Sequence, residues 1–131
     1  MIHPNVFSPV FFPNTHWFTN TLLDNMPEVE TFLEIGTGAG NVLAEALISG
    51  KCKWAVGSDI SQEAIENAKV NFDKLQLAAK LVVSDVLDGL DKSSKFDLIY
   101  WNYPFHYNFS KSYETMSVIE QGLRDPDYRH L

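Results

Sequence analysis

Hydrophobic residues in this chain fall into two alternating kinds of run. Short strand-like runs cover residues 31–35, 54–57, 81–83 and 96–101, and each stops at turn-forming residues. Between them, apolar positions recur at helical spacing. Ile65, Ala68, Phe72 and Leu75 follow Ser61, whose hydroxyl suits a helix N-cap. Residues 41–49 predict a shorter helix closed by Gly50. Thr15 predicts the cap of a helix running to about Asn25, with Trp17, Phe18, Leu22 and Leu23 on one face. A last helical pattern spans 113–123, with Met116, Ile119, Glu120 and Leu123 near one stripe, and breaks at Pro126.

Strands alternating with helices at this spacing predict an α/β fold, a doubly wound and mostly parallel sheet joined by right-handed crossovers. A chain of 131 residues with no repeat or linker predicts a single domain over 1–131. Residues 1–15, rich in Pro, Phe and Asn, predict an extended aromatic arm that gains order by packing on the body. Ligands of such sheets bind outside the carboxyl ends of the strands. Four motifs stand at those ends: Glu34-Ile35-Gly36-Thr37-Gly38-Ala39-Gly40, Asp59, Asp85 and Asn102-Tyr103-Pro104-Phe105.

Charge narrows the partners. The formal net charge of −7 repels a phosphate backbone, and the lysines are scattered, so nucleic acid is a disfavoured partner. The single cysteine, Cys52, excludes an internal disulfide, fits a reducing compartment and reads as a small packed residue. No Cys or His cluster offers a metal framework, and the four histidines are scattered. The N-terminus has no basic n-region, and Pro4, Pro9 and Pro13 break its aromatic stretch, so neither a signal peptide nor a membrane span fits. A cytoplasmic location is the expectation.

Each motif has a chemical and a structural reading. Gly36, Gly38 and Gly40 bare the backbone to a ligand and feed a helix N-terminus, or they make only a tight strand-to-helix turn. Asn41 stands where the dinucleotide fingerprint has its third glycine, and acidic Glu34 precedes the loop. Two phosphates beside a carboxylate are costly, whereas a cationic ligand is not. Asp59, 19 residues after Gly40, is in range to accept from ribose hydroxyls, or it caps a turn. Asp85 either accepts from an adenine amino group or serves the turn that Asp88-Gly89 continues. Asn102 ends an apolar strand with no packing reason. Its carbonyl and that of Tyr103 suit two hydrogen bonds from a substrate NH₂, with Pro104 stiffening the turn and Phe105 offering a flat face; otherwise it is a plain Asn turn.

These motifs, in this order, resemble the class I S-adenosylmethionine-dependent methyltransferases over roughly residues 5–110. Asn102-Tyr103-Pro104-Phe105 is similar to the Asn-Pro-Pro-aromatic motif of amino-group methylators, the release-factor glutamine methyltransferases and their adenine and small-molecule relatives, with Tyr103 in place of the first proline. Pro13-Asn14-Thr15 is similar to the segment before the first helix of the glutamine enzymes. The resemblance implies a cofactor set of Glu34, Gly36, Thr37, Gly38, Gly40, Asp59, Ile60, Asp85 and Val86. In it Glu34 and the glycines cradle the methionine part, Asp59 binds ribose and Asp85 lies at the adenine. It further implies a catalytic set of Asn102, Tyr103, Pro104 and Phe105, with Asn102 orienting the methyl acceptor and Phe105 stacking on it. S-adenosylmethionine is the implied cofactor, S-adenosylhomocysteine the product, and no metal is required.

The implied reaction is N-methylation of a planar amide or amino nitrogen, on a protein glutamine or a small molecule. A non-catalytic cofactor-binding module and an NAD-dependent oxidoreductase are the competing readings. The family sheet has seven strands and this sequence supplies its first four. Residues 96–101 would then form an apolar edge, so the expectation is a fragment of a longer protein, or an edge covered by a second copy or by the C-terminal helix.

Overall fold

A computed structural model describes residue 6 and residues 14–102 of the chain. Three helices and four strands follow in the order α1 (Asn14–Asn25), β1 (Val29–Ile35), α2 (Asn41–Ile48), β2 (Cys52–Asp59), α3 (Gln62–Leu75), β3 (Lys80–Val83) and β4 (Leu98–Trp101). The strands form one sheet in the order β3-β2-β1-β4, and every pairing is parallel. The α/β class and the parallel sheet are therefore as the alternating pattern predicts. The chain steps outward from β1 through β2 to β3, then returns to the far side of β1. That reversal places a topological switch point between β1 and β4.

Paired residues of parallel strands share a sheet face. One face carries Phe32, Ala55, Leu81, Leu98 and Tyr100, and against it pack Leu43, Ala44 and Ala46 of α2, Phe72 of α3, and Leu22 and Leu23 of α1. On the other face Leu33 is fully buried, whereas its register partner Ile99 on β4 stays largely exposed, as does Trp54 on β2.

Local chemistry sets the element ends. Ser61 Oγ accepts from the Ala64 N–H at 3.2 Å and caps α3 as expected. At the end of α2, Gly50 N–H donates to Leu47 and Lys51 N–H to Ala46, the paired bonds that close a helix on a left-handed residue. Asp97 clamps the start of β4: its carboxylate accepts from both the N–H and the hydroxyl of Thr31 at 2.9 Å.

Four readings of the pattern need correction. β2 is longer than 54–57: pairing with β1 begins at Cys52, and polar Ser58 and Asp59 join the strand, Ser58 paired on both flanks and Asp59 on β3 alone. β4 starts at Leu98 and not at 96, since Asp97 spends its groups on the clamp. α1 starts at Asn14, so Thr15 lies inside its first turn. Trp17 and Phe18 are exposed and meet edge to face at 5.0 Å, leaving Leu22 and Leu23 to join the core, and Leu75 is likewise exposed at the end of α3. The arm 1–15, apart from Val6 and the first residues of α1, and the helix expected over 113–123 lie outside the described residues. Val6 is buried with Ala39 and Ala64.

Among the described residues no helix is long and apolar enough to cross a membrane, and no group of three or more His, Cys, Asp or Glu is placed to hold a metal ion.

Candidate functional site

The carboxyl ends of all four strands open onto one edge of the sheet, and the residues there are tied into a single frame. Its hub is the end of β2. The Ser58 carbonyl accepts from the N–H groups of Gly36 and Thr37 at 2.8 and 2.9 Å, which folds the glycine loop back over the sheet. Asp59 Oδ2 accepts from the Gly38 N–H at 2.8 Å and Oδ1 from the Ser61 N–H at 3.0 Å. The Asp59 carbonyl accepts from the Ser84 N–H at 2.8 Å and so carries the frame on to the end of β3.

Glu34 faces inward beneath the loop. Its Oε2 accepts from the Thr37 hydroxyl at 2.7 Å and from the Leu43 N–H in the first turn of α2 at 3.2 Å. Burial pushes its pKa from the usual 4.5 up to about 8; the nearby Asp59 charge adds to that, against the two hydrogen bonds. Tyr100, its register partner on β4, has a hydroxyl raised mainly by burial and then by Glu34.

The three loop glycines differ in what surrounds them. A Cβ on Gly40 would sit 2.8 Å from the Phe72 ring, so this glycine lets α3 close on the loop. Gly38, at φ +55, faces open space among the described residues: apart from its chain neighbours, none of them comes within 4 Å of its missing Cβ. Space over a bare, left-handed backbone beside a carboxylate is where a ligand fits without any rearrangement of side chains. Gly36 looks toward the Trp101 indole, whose Nε1 is 3.9 Å from the position of its missing Cβ.

Asn102 follows Trp101, which is in register with Ile35, so Asn102 stands at the end of β4 beside the glycine loop, across the switch point. Its side chain is exposed; Tyr103, Pro104 and Phe105 lie outside the described residues. Asp85 is exposed on the turn after β3, where its carbonyl accepts from the Asp88 N–H at 3.0 Å; Ile60 is exposed next to Asp59, and Val86 is half-buried. The frame thus brings together Glu34, Thr37, Gly38, Asp59 and, through Ser84, the turn holding Asp85 and Val86.

Four supporting residues escaped the motif reading. Ser58 and Ser84, buried at the strand ends, hold the loops together. Gly57 leaves room below the loop, since a Cβ there would meet Leu43, Leu81 and Thr37 at 3.0 Å. Asn71 of α3 donates to the Ala39 carbonyl at 3.0 Å. The repeated Ser-Asp pair, Ser58-Asp59 and Ser84-Asp85, is the sequence signal that would have found the two serines.

Chemically, the edge offers carboxylates, bare backbone and an exposed carboxamide, while the ion pair Lys53–Glu30 lies toward the strands' opposite ends. Such a set welcomes a cation and polyhydroxyl groups and repels phosphates. Asp59 keeps lone pairs on each oxygen after its two backbone bonds.

The methyltransferase small domain family matches residues 1–124. The release factor glutamine methyltransferase of Lactococcus lactis is 37% identical over 99 residues, which cover 75% of this chain and 35% of that protein. The ribosomal RNA small subunit methyltransferase C of Haemophilus ducreyi is 32% identical over 97 residues, 73% of this chain and 29% of its own length. The chain therefore spans about a third of the curated relatives it matches. A methyltransferase from Pyrococcus furiosus shares the fold with a TM-score of 0.61 at 23% identity, covering 77% of this chain and 50% of that one.

Proposed function

The chain belongs to the methyltransferase small domain family, and from that premise we propose that it binds S-adenosylmethionine at the glycine-loop edge and moves its methyl group to a planar nitrogen, with a protein glutamine amide as the favoured acceptor. The observation that carries this reading is the meeting of two parts at one switch point: the Gly38 backbone bonded to Asp59, and Asn102 at the end of β4, one residue past the Ile35–Trp101 pair.

The residues fit that cofactor. Asp59 accepts from ribose hydroxyls with the lone pairs its backbone bonds leave, and the Asp85–Val86 turn stands at the nucleobase. Glu34, kept protonated at neutral pH by its burial, braces the loop from below through Thr37 and Leu43. When bound, the group would supply an electrophilic methyl on a sulfonium, to be taken up by the acceptor nitrogen with the C–S electron pair left on sulfur. Asn102 accepts a hydrogen bond from the acceptor NH₂, which orients the nitrogen lone pair, and the proton lost from nitrogen passes to water. Orientation carries this chemistry, which calls on no metal.

The glutamine preference is supported by Asn102 and Pro104 and by the name of the Lactococcus relative. An amino nitrogen on RNA is the second acceptor, favoured by the name of the Haemophilus relative and opposed by the net charge of −7. Labelled donor offered to the full chain with a glutamine-bearing protein fragment and with RNA separates the two. We expect label on glutamine, lost by a factor of about a hundred or more in Asn102→Ala with donor affinity unchanged, whereas Asp59→Ala weakens donor affinity about tenfold or more. Label on RNA alone replaces the acceptor. Equal loss of affinity in both variants defeats the assigned roles, and S-adenosylhomocysteine binding with no transfer to either acceptor favours a non-catalytic module.

A further inference from the structure

The turn after β3 carries a conformation that its sequence does nothing to ease. Val86 sits at φ +50, in the left-handed region where a β-branched residue is strained. Gly89, three residues on, would take that conformation freely, yet it is not left-handed. Gly89 is needed for another reason, because a Cβ there would lie 2.6 Å from the Val83 carbonyl.

Ser84 is what holds the turn in this shape. It is 5% exposed, and its Oγ donates to the Val86 carbonyl at 3.1 Å while accepting from the Gly89 N–H at 2.9 Å. The fully buried Ser58 hydroxyl reaches the same Val86 carbonyl at 3.5 Å. The Ser84 N–H is bonded to the Asp59 carbonyl, so the strained turn is anchored to the frame that carries the glycine loop. Strain that persists because its surroundings enforce it gathers at ligand clamps. Here it falls next to Asp85, on the edge assigned above to the nucleoside.

We propose that Ser84 is a positioning residue for the nucleoside half of the ligand, its hydroxyl holding Val86 in the left-handed conformation so that the Asp85–Val86 turn is preformed before binding. The inference rests on the S-adenosylmethionine reading of this edge. Ser84 touches no ligand in this scheme; it removes the ordering cost that a free turn would add to binding.

A double-mutant cycle read by titration of the full chain with S-adenosylhomocysteine tests it. In the native background Ser84→Ala weakens affinity by about tenfold, one hydrogen-bond's worth of turn closure. In the V86G background, where residue 86 takes a positive φ without help, the same change costs less than about threefold. Ser84→Thr, which keeps the hydroxyl, binds within about threefold of the unaltered chain, and Ser84→Val, of the same size without it, loses about tenfold. This second pair decides the matter if Ser84→Ala does not fold. An equal penalty in both backgrounds, or equal binding by Ser84→Thr and Ser84→Val, overturns the inference and leaves the cofactor reading standing. Failure of the unaltered chain to bind S-adenosylhomocysteine overturns both.

Discussion

Glu34 concentrates the electrostatics of the site in one carboxyl. Between pH 4.5 and about 8 the folded chain keeps a proton there that the unfolded chain has released, so the folded state binds more protons in that window. Stability attached to this group is complete below pH 4.5 and is lost as pH rises through about 8, with a slope of at most about 1.4 kcal/mol per pH unit. Glu34→Gln keeps an acceptor for Thr37 and Leu43 but cannot ionise. Chemical denaturation of this variant across pH 5 to 8 should show a flatter profile and greater stability at the alkaline end. An unchanged slope would place the titration elsewhere. A cationic ligand favours the ionised carboxylate, which Asp59 and Tyr100 oppose. The glycines separate by role at the same scale. Gly40→Ala pushes a methyl into Phe72 at a left-handed position and should cost about 2–4 kcal/mol of stability, while Gly38→Ala should cost about 1 kcal/mol and act mainly by narrowing the space for ligand. Melting and S-adenosylhomocysteine titration of the two variants check this, and equal stability losses would contradict it.

Elements were legible wherever short-range chemistry decides them. The Ser61 cap, the Gly50 closure and the alternation of apolar runs with helical stripes are properties of neighbours in sequence, and α2 and α3 stand within a residue or two of where these signals put them. What was not legible depends on partners far along the chain. Ser58 is polar yet fully buried, because β1 and β3 flank it, and the sequence around it shows neither strand. The clamp of Asp97 on Thr31 joins residues 66 positions apart and trims β4 to four residues. Trp17 and Phe18 share a helical face with Leu22 only in projection; the core takes the second half of α1 and leaves the aromatic pair outside. The motif residues were easy to find, because turn residues after apolar strands are conspicuous. The serines that aim them were hidden by their ordinariness.

At the scale of the whole molecule, the strand order matters more than any single residue. Crossing back over β1 puts the glycine loop and Asn102 on either side of one switch point, and a parallel sheet leaves both at its carboxyl edge. The carboxylates of Asp59 and Asp85, counted in the formal −7 of the chain, make that edge acidic, and Glu34 lies buried beneath it. An acidic edge with bare backbone is suited to a positively charged sulfur nucleoside and ill suited to a pyrophosphate. Among the described strands β4 is the outermost on its side, and Ile99 and Trp101 remain exposed on it, as an apolar edge next to the crevice. The most direct test is calorimetric titration of the full chain with S-adenosylhomocysteine and, separately, with NAD. One site for the sulfur nucleoside and no measurable heat from NAD are expected; binding of NAD with none of S-adenosylhomocysteine would overturn the cofactor reading.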